Sequence, residues 1–414
     1  MTAPLSRNRA YQLLWGSQTL SEFGINASVI AFPLLVLAVT GSAAASGLVL
    51  GTIAAAQLVA GLPTGALVDR WNRKKVMLAC EAAQVIAAAS LVGALLLGEA
   101  RIAHMVVVAA VMGVCRAFFE PAEEASLPNV VAAEELSTAV AMNAARSYVG
   151  HLSGTAAGGF LFAVGRFVPF AADMLTHAVA FCMLVFVRIP SREVRPRPAG
   201  HLSQEMLAGL RWVWGRSPIR VTALCATGLN LFFAAYYIVI IVLAHSRGVP
   251  PGEIGVMAAM LGVGGLLGAL VAPYLQARLS PYLSIIGVFW LLTLLTPIAV
   301  LVTDGYVMGA LFAAMAFLAP TANTTIDTYQ LLLTPDGLRG RLSGVMGVVT
   351  GVAGAVGPAL GGVLTEALSG TQAVLVCTAG LGAVTLAATL SRTLREFPRR
   401  PDVTAETQPV PATE

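Results

Sequence analysis

The run Gly65-Ala-Leu-Val-Asp69-Arg70-Trp-Asn72-Arg73-Lys74-Lys75 decides how this chain folds. A long apolar stretch ends at Asp69, four cations follow within six residues, and a second apolar stretch begins at Val76. A charged cluster between two buried segments has to be a short turn in water. If both segments cross a membrane, the cations also set the topology, because positive loops are retained on the cytoplasmic side. The plainer alternative is a basic flank that stops translocation and does nothing more.

Composition supports the membrane reading. The chain is 57% hydrophobic and 11% charged, with mean hydropathy +0.80. A soluble globular chain carries about 25% charged residues, so this is read as an integral membrane protein. The net charge of +4 comes from distribution, with no polybasic tract suited to nucleic acid. Cys80, Cys115, Cys182, Cys225 and Cys377 sit singly inside apolar runs, with neither metal nor disulfide spacing. No metal and no cofactor is expected. The first apolar run lacks a small-residue cleavage site and is read as a retained helix, not a signal peptide. Lys74 and Lys75 are the only lysines among 25 cations, a bias that fits a GC-rich bacterial source.

A crossing needs about 20 apolar residues. On that rule about twelve spans are expected, at 12–37, 44–68, 76–98, 104–125, 138–164, 167–188, 218–244, 253–274, 281–302, 306–332, 342–367 and 371–391. One set of loops collects Arg7, Arg9, the cluster from Arg70 to Lys75, Arg278, Arg339, Arg341 and the arginines from Arg392 to Arg400. The other set holds Arg101, Arg166 and Arg247. This asymmetry predicts both termini in the cytoplasm and places the protein in the bacterial cytoplasmic membrane. The expected units are 1–190 and 218–391 as six-helix bundles, 191–217 as a cytoplasmic linker and 392–414 as a disordered tail. The linker opens with Pro190, Pro196 and Pro198. It then places Met206, Leu207, Leu210, Val213 and Trp214 at helical spacing, with Glu205 and Arg211 on the other face. That pattern predicts a helix lying in the membrane interface.

The two bundles read as copies of one unit. Gly65-Ala-Leu-Val recurs as Gly268-Ala-Leu-Val, and Gly154-Thr-Ala-Ala-Gly158-Gly159 recurs as Gly357-Pro358-Ala-Leu-Gly361-Gly362, both at an offset of 203 residues. Parallel repeats about an axis normal to the membrane characterise one transporter architecture, with the substrate site at the midplane between halves. Ala272 stands where Asp69 stands in the first copy, so the charged turn is one-sided.

Ionisable residues inside spans are costly and mark function by default. Glu22 lies about ten residues into the first span, roughly 15 Å deep at 1.5 Å per residue. It is either a proton or cation carrier or a carboxyl kept uncharged for structure. Asp173 and His177 share one face of the sixth span at i, i+4 and can share a proton, unless Asp173 only completes packing near the helix end. Arg116 and Glu120 form a second i, i+4 pair, followed by Glu123 and Glu124. Arg116 either holds a carboxylate ionised or forms a static pair. Glu124, close to the membrane boundary, either meets Arg70 and Arg73 or sits among headgroups. In the second half, Pro320-Thr-Ala-Asn323-Thr-Thr-Ile-Asp327-Thr-Tyr-Gln330 is the most polar run in any span and is expected to face an internal cavity. Asn230, Tyr236 and Tyr237 are expected to add a hydrogen-bonding aromatic wall, or else an interfacial belt. Arg146 and His151 carry no assignment. The stripe Gly150, Gly154, Gly158, Gly159 permits close helix contact and is expected, with Gly357 and Pro358, to act as a hinge.

These motifs resemble the major facilitator superfamily. The opening run resembles its loop between helices 2 and 3, G-x-L-x-D-R-x-G-R-[RK], with Gly65, Leu67, Asp69, Arg70, Arg73 and Lys74 in register and Asn72 for the usual glycine. The fifth-span stripe resembles the antiporter pattern G-x3-G-P-x2-G-G, with Thr155 in place of proline. Arg116 matches the fourth-span arginine of antiporters. Phe118-Phe-Glu120-Pro121-Ala122 and Thr334-Pro335-Asp336-x-Leu338-Arg339-Gly340-Arg341 look like the bacterial branch that contains macrolide effluxers and the enterobactin exporter. The resemblance implies an all-α protein of twelve transmembrane helices in two pseudo-symmetric six-helix bundles. It also implies drug:proton antiport by alternating access, with Gly65, Asp69, Arg70, Arg73 and Glu124 in an inner gate. Glu22, Asp173, Arg116 and Glu120 are the expected proton-coupling residues; Asn230, Tyr236, Asn323 and Asp327 the expected substrate cavity. Partners would be a small-molecule substrate, protons and the bilayer, the protein acting as a monomer. An importer of the same fold and a non-transporting membrane sensor stand as the rival readings. An enzyme is not expected, because no loop carries nucleophile–base or metal-ligand spacing.

Overall fold

A computed structural model describes residues 5–68, 70–189, 211–332, 334 and 339–395. The first bundle comprises α1 (Arg9–Thr40), α2 (Ala43–Val68), α3 (Arg73–Leu96), α4 (Ile102–Val130), α5 (Leu136–Val164) and α6 (Val168–Phe186). The second comprises α7 (Ser217–Ser246), α8 (Pro251–Arg278), α9 (Pro281–Leu295), α10 (Gly305–Phe317), α11 (Ala319–Leu332), α12 (Arg339–Ala367) and α13 (Gly370–Leu390). No strand occurs among the described residues. Helices α10 and α11 are one span broken at Leu318, where Pro320 cannot donate to the carbonyl four residues back.

Among the described residues, eleven spans are long and apolar enough to cross a membrane, α10 and α11 counting as one. Helix α5 falls outside that set although its 29 residues reach about 43 Å at 1.5 Å per residue. Arg146 and His151 lower its hydropathy, and its packing between α1 and α8 lets protein cover that polarity. It completes the twelve.

Successive spans alternate in direction, so one end of the bundle carries the α2–α3 turn and the connection to α7; we call it the terminal end. The α1–α2, α3–α4 and α7–α8 turns lie at the far end. Gly41, Gly98 and Gly248 occupy these three turns with φ of 69°, 74° and 78°, a left-handed backbone that disfavours any side chain.

The halves meet along two seams, α2 with α12 and α5 with α8. The repeat seen in sequence recurs in space. A Cβ on Gly154 or Gly158 would strike the α1 backbone at Phe23 or Ala27, and one on Gly361 would strike α7 at Ala235. A Cβ on Gly159 would run into Pro251 and Gly255 of α8; one on Gly362 would run into Ala43 and Ala44 of α2. Both helices run unbroken through these positions, α12 even through Pro358. In this conformation Gly154, Gly158, Gly357 and Pro358, the expected hinge residues, lie within continuous helices. They are points where backbones touch, and bending there would separate the contacts that the missing side chains allow.

Both seams lie in the far half. One apolar core spans the two lobes there, joining Phe32 and Leu35 of α1 to Tyr236 and Ile240 of α7, Ile254 of α8 and Phe312 of α10. In the terminal half the cores separate. Leu14, Val76, Met77, Phe119 and Leu184 form one within the first lobe; Ile285, Phe289, Tyr329 and Leu394 form another within the second. Among the described residues the lobes are thus sealed at the far end by a shared core and have separate cores at the terminal end.

Asn72, at φ −70° and ψ 110°, caps α3, its side chain accepting from the Lys75 amide, which is why asparagine serves there. Two further expectations change. Of the expected interfacial helix, Met206, Leu207 and Leu210 lie outside the described residues. Val213 is buried against Ile219, Leu342 and Val345, covered by protein and not by headgroups. The tail is ordered at its start, where Arg392–Arg395 forms a helical turn and Leu394 enters the second lobe's core; residues 396–414 lie outside the described set.

Candidate transport cavity and its ionisable groups

A cavity of about 550 Å³ lies in the first lobe. It runs from Glu22 and Gln84 at mid-helix to Glu124, Leu127 and Val140 toward the terminal end. Its lining is unusually charged for a transmembrane region, with five glutamates facing Arg116, Arg146 and His177. Three groups of contacts organise these charges.

The first joins Arg116 and Glu120. The arginine Nε donates to Glu120 Oε1 at 2.7 Å, with both side chains partly exposed to the cavity. One turn of helix separates them, the spacing at which side chains on one face meet. Glu22 of α1 is close enough to Arg116 for their charges to interact. Asn26, one turn along α1, donates to Glu22 Oε2 at 3.3 Å and shares a 2.8 Å hydrogen bond with His151 of α5. Gly150 lets the Glu22 stem lie against α5, since a Cβ there would meet Glu22 Cβ at 2.6 Å. The structure thus brings Glu22, Arg116 and Glu120 to one cavity, and His151 beside it.

The second is a buried pair not foreseen from sequence. Arg146 donates to both oxygens of Glu123, at 2.6 and 3.1 Å, with the side chains only 5% and 8% exposed. The fork geometry of arginine suits a carboxylate, and α5 can carry the charge because α4 supplies its partner.

The third is more deeply enclosed. His177 of α6 has its Nδ1 2.5 Å from Glu81 Oε2 on α3 and its Nε2 3.2 Å from Asp173 Oδ1. Glu81, Asp173 and His177 are each 3% exposed or less. Glu81 Oε1 accepts from Ser21 at 3.0 Å and from Gln18 at 3.3 Å, both on α1. The sequence reading found Asp173 and His177 and missed Glu81, although an acid mid-span in α3 was a signal in plain view.

Other expected residues stand elsewhere. Tyr236 does not line the cavity: it is fully buried, packed near Phe233 and Phe312, with its hydroxyl donating to the Thr296 carbonyl at 3.3 Å. A large ring in a span finds more contact in the shared core than at a water-filled wall. Asn230 is turned back on its own helix, donating to Ala226 O at 2.9 Å. Asn323 and Asp327 are exposed on the face of α11 opposite Thr321, Ala322 and Thr325. None of the three lines the first-lobe cavity.

At the terminal end, Asp69 lies outside the described residues, and only the helical position of Gly65 is defined. Arg70 is exposed. Arg73 donates to the Ala125 carbonyl at 2.5 Å, tying the start of α3 to α4. Glu124 faces the cavity, and Glu123, the nearest buried acid, is held by Arg146. At the far end, Glu366 of α12 accepts from Ser42 Oγ at 2.8 Å and from the Ala44 amide at 2.9 Å. That contact crosses between lobes and satisfies a free amide at the start of α2.

The sequence profile of the family described as transmembrane secretion effector matches residues 1–412. The multidrug efflux pump Tap of Mycolicibacterium fortuitum is 29% identical over 374 residues, covering 83% of this chain and 86% of Tap. The enterobactin exporter EntS of Escherichia coli O1:K1 is 25% identical over 411 residues, 97% of this chain and 96% of EntS. Among solved structures, a variant of the nucleoside transporter NupG superposes with a TM-score of 0.76 at 11% identity, covering 92% of this chain and 99% of that one. The last similarity shows the fold alone.

Proposed function

Because this chain belongs to the transmembrane secretion effector family of the major facilitator superfamily, we propose that it exports an amphipathic small molecule by proton antiport and alternating access. The observation that carries the reading is the pairing of a sealed far end with a charged cavity reaching toward the terminal end. The cations of the α2–α3 turn assign the terminal end to the cytoplasm, so the cavity loads from inside. Similarity to a drug pump and a siderophore exporter supports export over import.

The cycle follows from charge. Keeping a carboxylate ionised in a closing, drying cavity costs several kcal/mol. Glu22, beside Arg116 and Glu120, is stable ionised only while a cation or water faces it. A proton taken from outside neutralises a carboxyl, frees its cationic partner and favours the inward-open arrangement. Substrate entering from the cytoplasm displaces that proton, and the lobes rock to expose the substrate outside. Asn323 and Asp327 face the vestibule from the second lobe, because lipid would not tolerate them. Arg73, Arg70, Asp69 and Glu124 close the terminal end in the opposite state. The cavity's mixed lining suits molecules with both an apolar body and a polar or charged group.

The test is transport of ethidium, an amphipathic dye, in proteoliposomes under an imposed pH gradient. Efflux that accelerates with an inward proton gradient and stalls in Glu22→Gln is expected. Efflux that continues unchanged when the gradient is collapsed removes proton coupling.

A further inference from the structure

Glu81, His177 and Asp173 form a line through the first lobe. Asp173 lies nearest the far end, His177 one turn closer to the terminal end, and Glu81 beyond it on α3. The distances are 3.2 Å and 2.5 Å, and no member is more than 3% exposed. Buried charges are tolerated when paired and hydrogen-bonded, yet here the pairing is incomplete. Asp173 Oδ1 and His177 Nε2 approach closely without an aligned hydrogen bond, and neither atom has another partner.

With imidazolium flanked by two carboxylates, the line carries one net negative charge. What faces it is neutral: Gln18 and Ser21 from α1, and the thiols of Cys80 on α3 and Cys115 on α4. The other charges lining the cavity are Glu22, Glu120, Glu123, Glu124, Arg116 and Arg146, with Arg116 paired to Glu120 and Arg146 to Glu123. One further proton makes the line neutral, and none of its neighbours otherwise does.

Access is one-sided. Glu81 and His177, with Gln18, Ser21 and Gln84, border the cavity. Toward the far end, Phe170 is 1% exposed and packs edge-on against Phe32, in the core that seals the lobes. Gly24 brings α1 against α6 at Asp173 so tightly that a Cβ would strike Thr176 and Asp173. A proton in this conformation exchanges with the cavity alone.

We propose that Glu81, His177 and Asp173 form a dedicated binding site for one exchangeable proton, separate from the substrate-facing carboxyl of Glu22. The site rests on the antiport reading for its purpose, though not for its existence. The proton adds to a carboxylate oxygen of Asp173 or Glu81, and leaves to cavity water on the Glu81 side.

The proton itself is the probe. Infrared difference spectra of the purified full chain, recorded between high and low pH, should show a protonated-carboxyl band that is lost in both Glu81→Gln and Asp173→Asn and kept in Glu22→Gln. A band that persists in both variants, or is lost in Glu22→Gln alone, overturns the proposal. Should the two variants not fold, Ser21→Ala removes only the hydroxyl that donates to Glu81. It should move the titration midpoint of the band, and an unmoved midpoint also overturns the proposal. Gradient-insensitive transport together with a band lost in Glu81→Gln would refute the antiport reading and leave the site standing. Gradient-driven transport with a band indifferent to Glu81 and Asp173 would do the reverse.

Discussion

Leucine at position 159 should open the far end of the protein. Gly159 sits on the α5–α8 seam, and the atoms nearest a Cβ there are the Pro251 carbonyl and the backbone of Gly255 at 2.8 Å. These are main-chain atoms, so no rotamer change relieves the clash. Helix axes packed through glycine approach to about 8 Å, whereas ordinary side chains hold them nearer 10 Å. Gly159→Leu therefore forces about 2 Å of separation at a contact that helps seal the far end in this conformation. Overpacking of this kind costs about 1–3 kcal/mol. A penalty confined to one of two states shifts their ratio by about 5–150-fold. Spin labels on Glu99→Cys and Thr371→Cys, exposed at far-end turns of opposite lobes, report the change by electron–electron double resonance once the native cysteines are replaced. The short-distance population should fall in Gly159→Leu. It should hold in Gly265→Leu, because Gly265 on α8 has no heavy atom within 4 Å of its Cβ position. An unchanged distance distribution in Gly159→Leu would refute the claim that the seam helps seal the far end.

Breaking the enclosed pair with Arg146→Met should destabilise the purified protein by about 3–5 kcal/mol, because Glu123 is left charged and alone; adding Glu123→Gln should recover part of the loss in a thermal unfolding assay. Tyr236→Phe should lower stability by about 1 kcal/mol through loss of one hydrogen bond, and leave the range of exported dyes unchanged in a susceptibility panel, as befits a core residue. Glu366→Gln should weaken the contact to Ser42 and Ala44 and speed maleimide labelling of a far-end cysteine; labelling at the wild-type rate would show that the contact does not hold the lobes.

How much was legible beforehand depended on the range of the interaction. Residues related by helical periodicity were found: Arg116 with Glu120 and Asp173 with His177 lie four apart on one helix, a relation the sequence states directly. The 203-residue repeat was found as well, since each Gly-Gly pair recurs with its backbone contacts. Glu81, by contrast, joins His177 across 96 residues and Arg146 of α5 joins Glu123 of α4 across 23, and no local pattern names such partners. Tyr236 went astray for a related reason: an aromatic ring in a span reads alike whether it lines a cavity or fills the core.

The chain by itself determined that it crosses a membrane about twelve times, that it is a duplicated unit, and which end bears the cations. Those properties follow from hydropathy, spacing and charge, each a property of single segments in a bilayer. Tertiary structure alone decided which charges neutralise one another, which glycines touch another backbone, and which end is shut. These depend on how helices distant in sequence are brought side by side, and in a low-dielectric interior a shift of a few ångströms between two side chains decides whether a charge is paired or exposed.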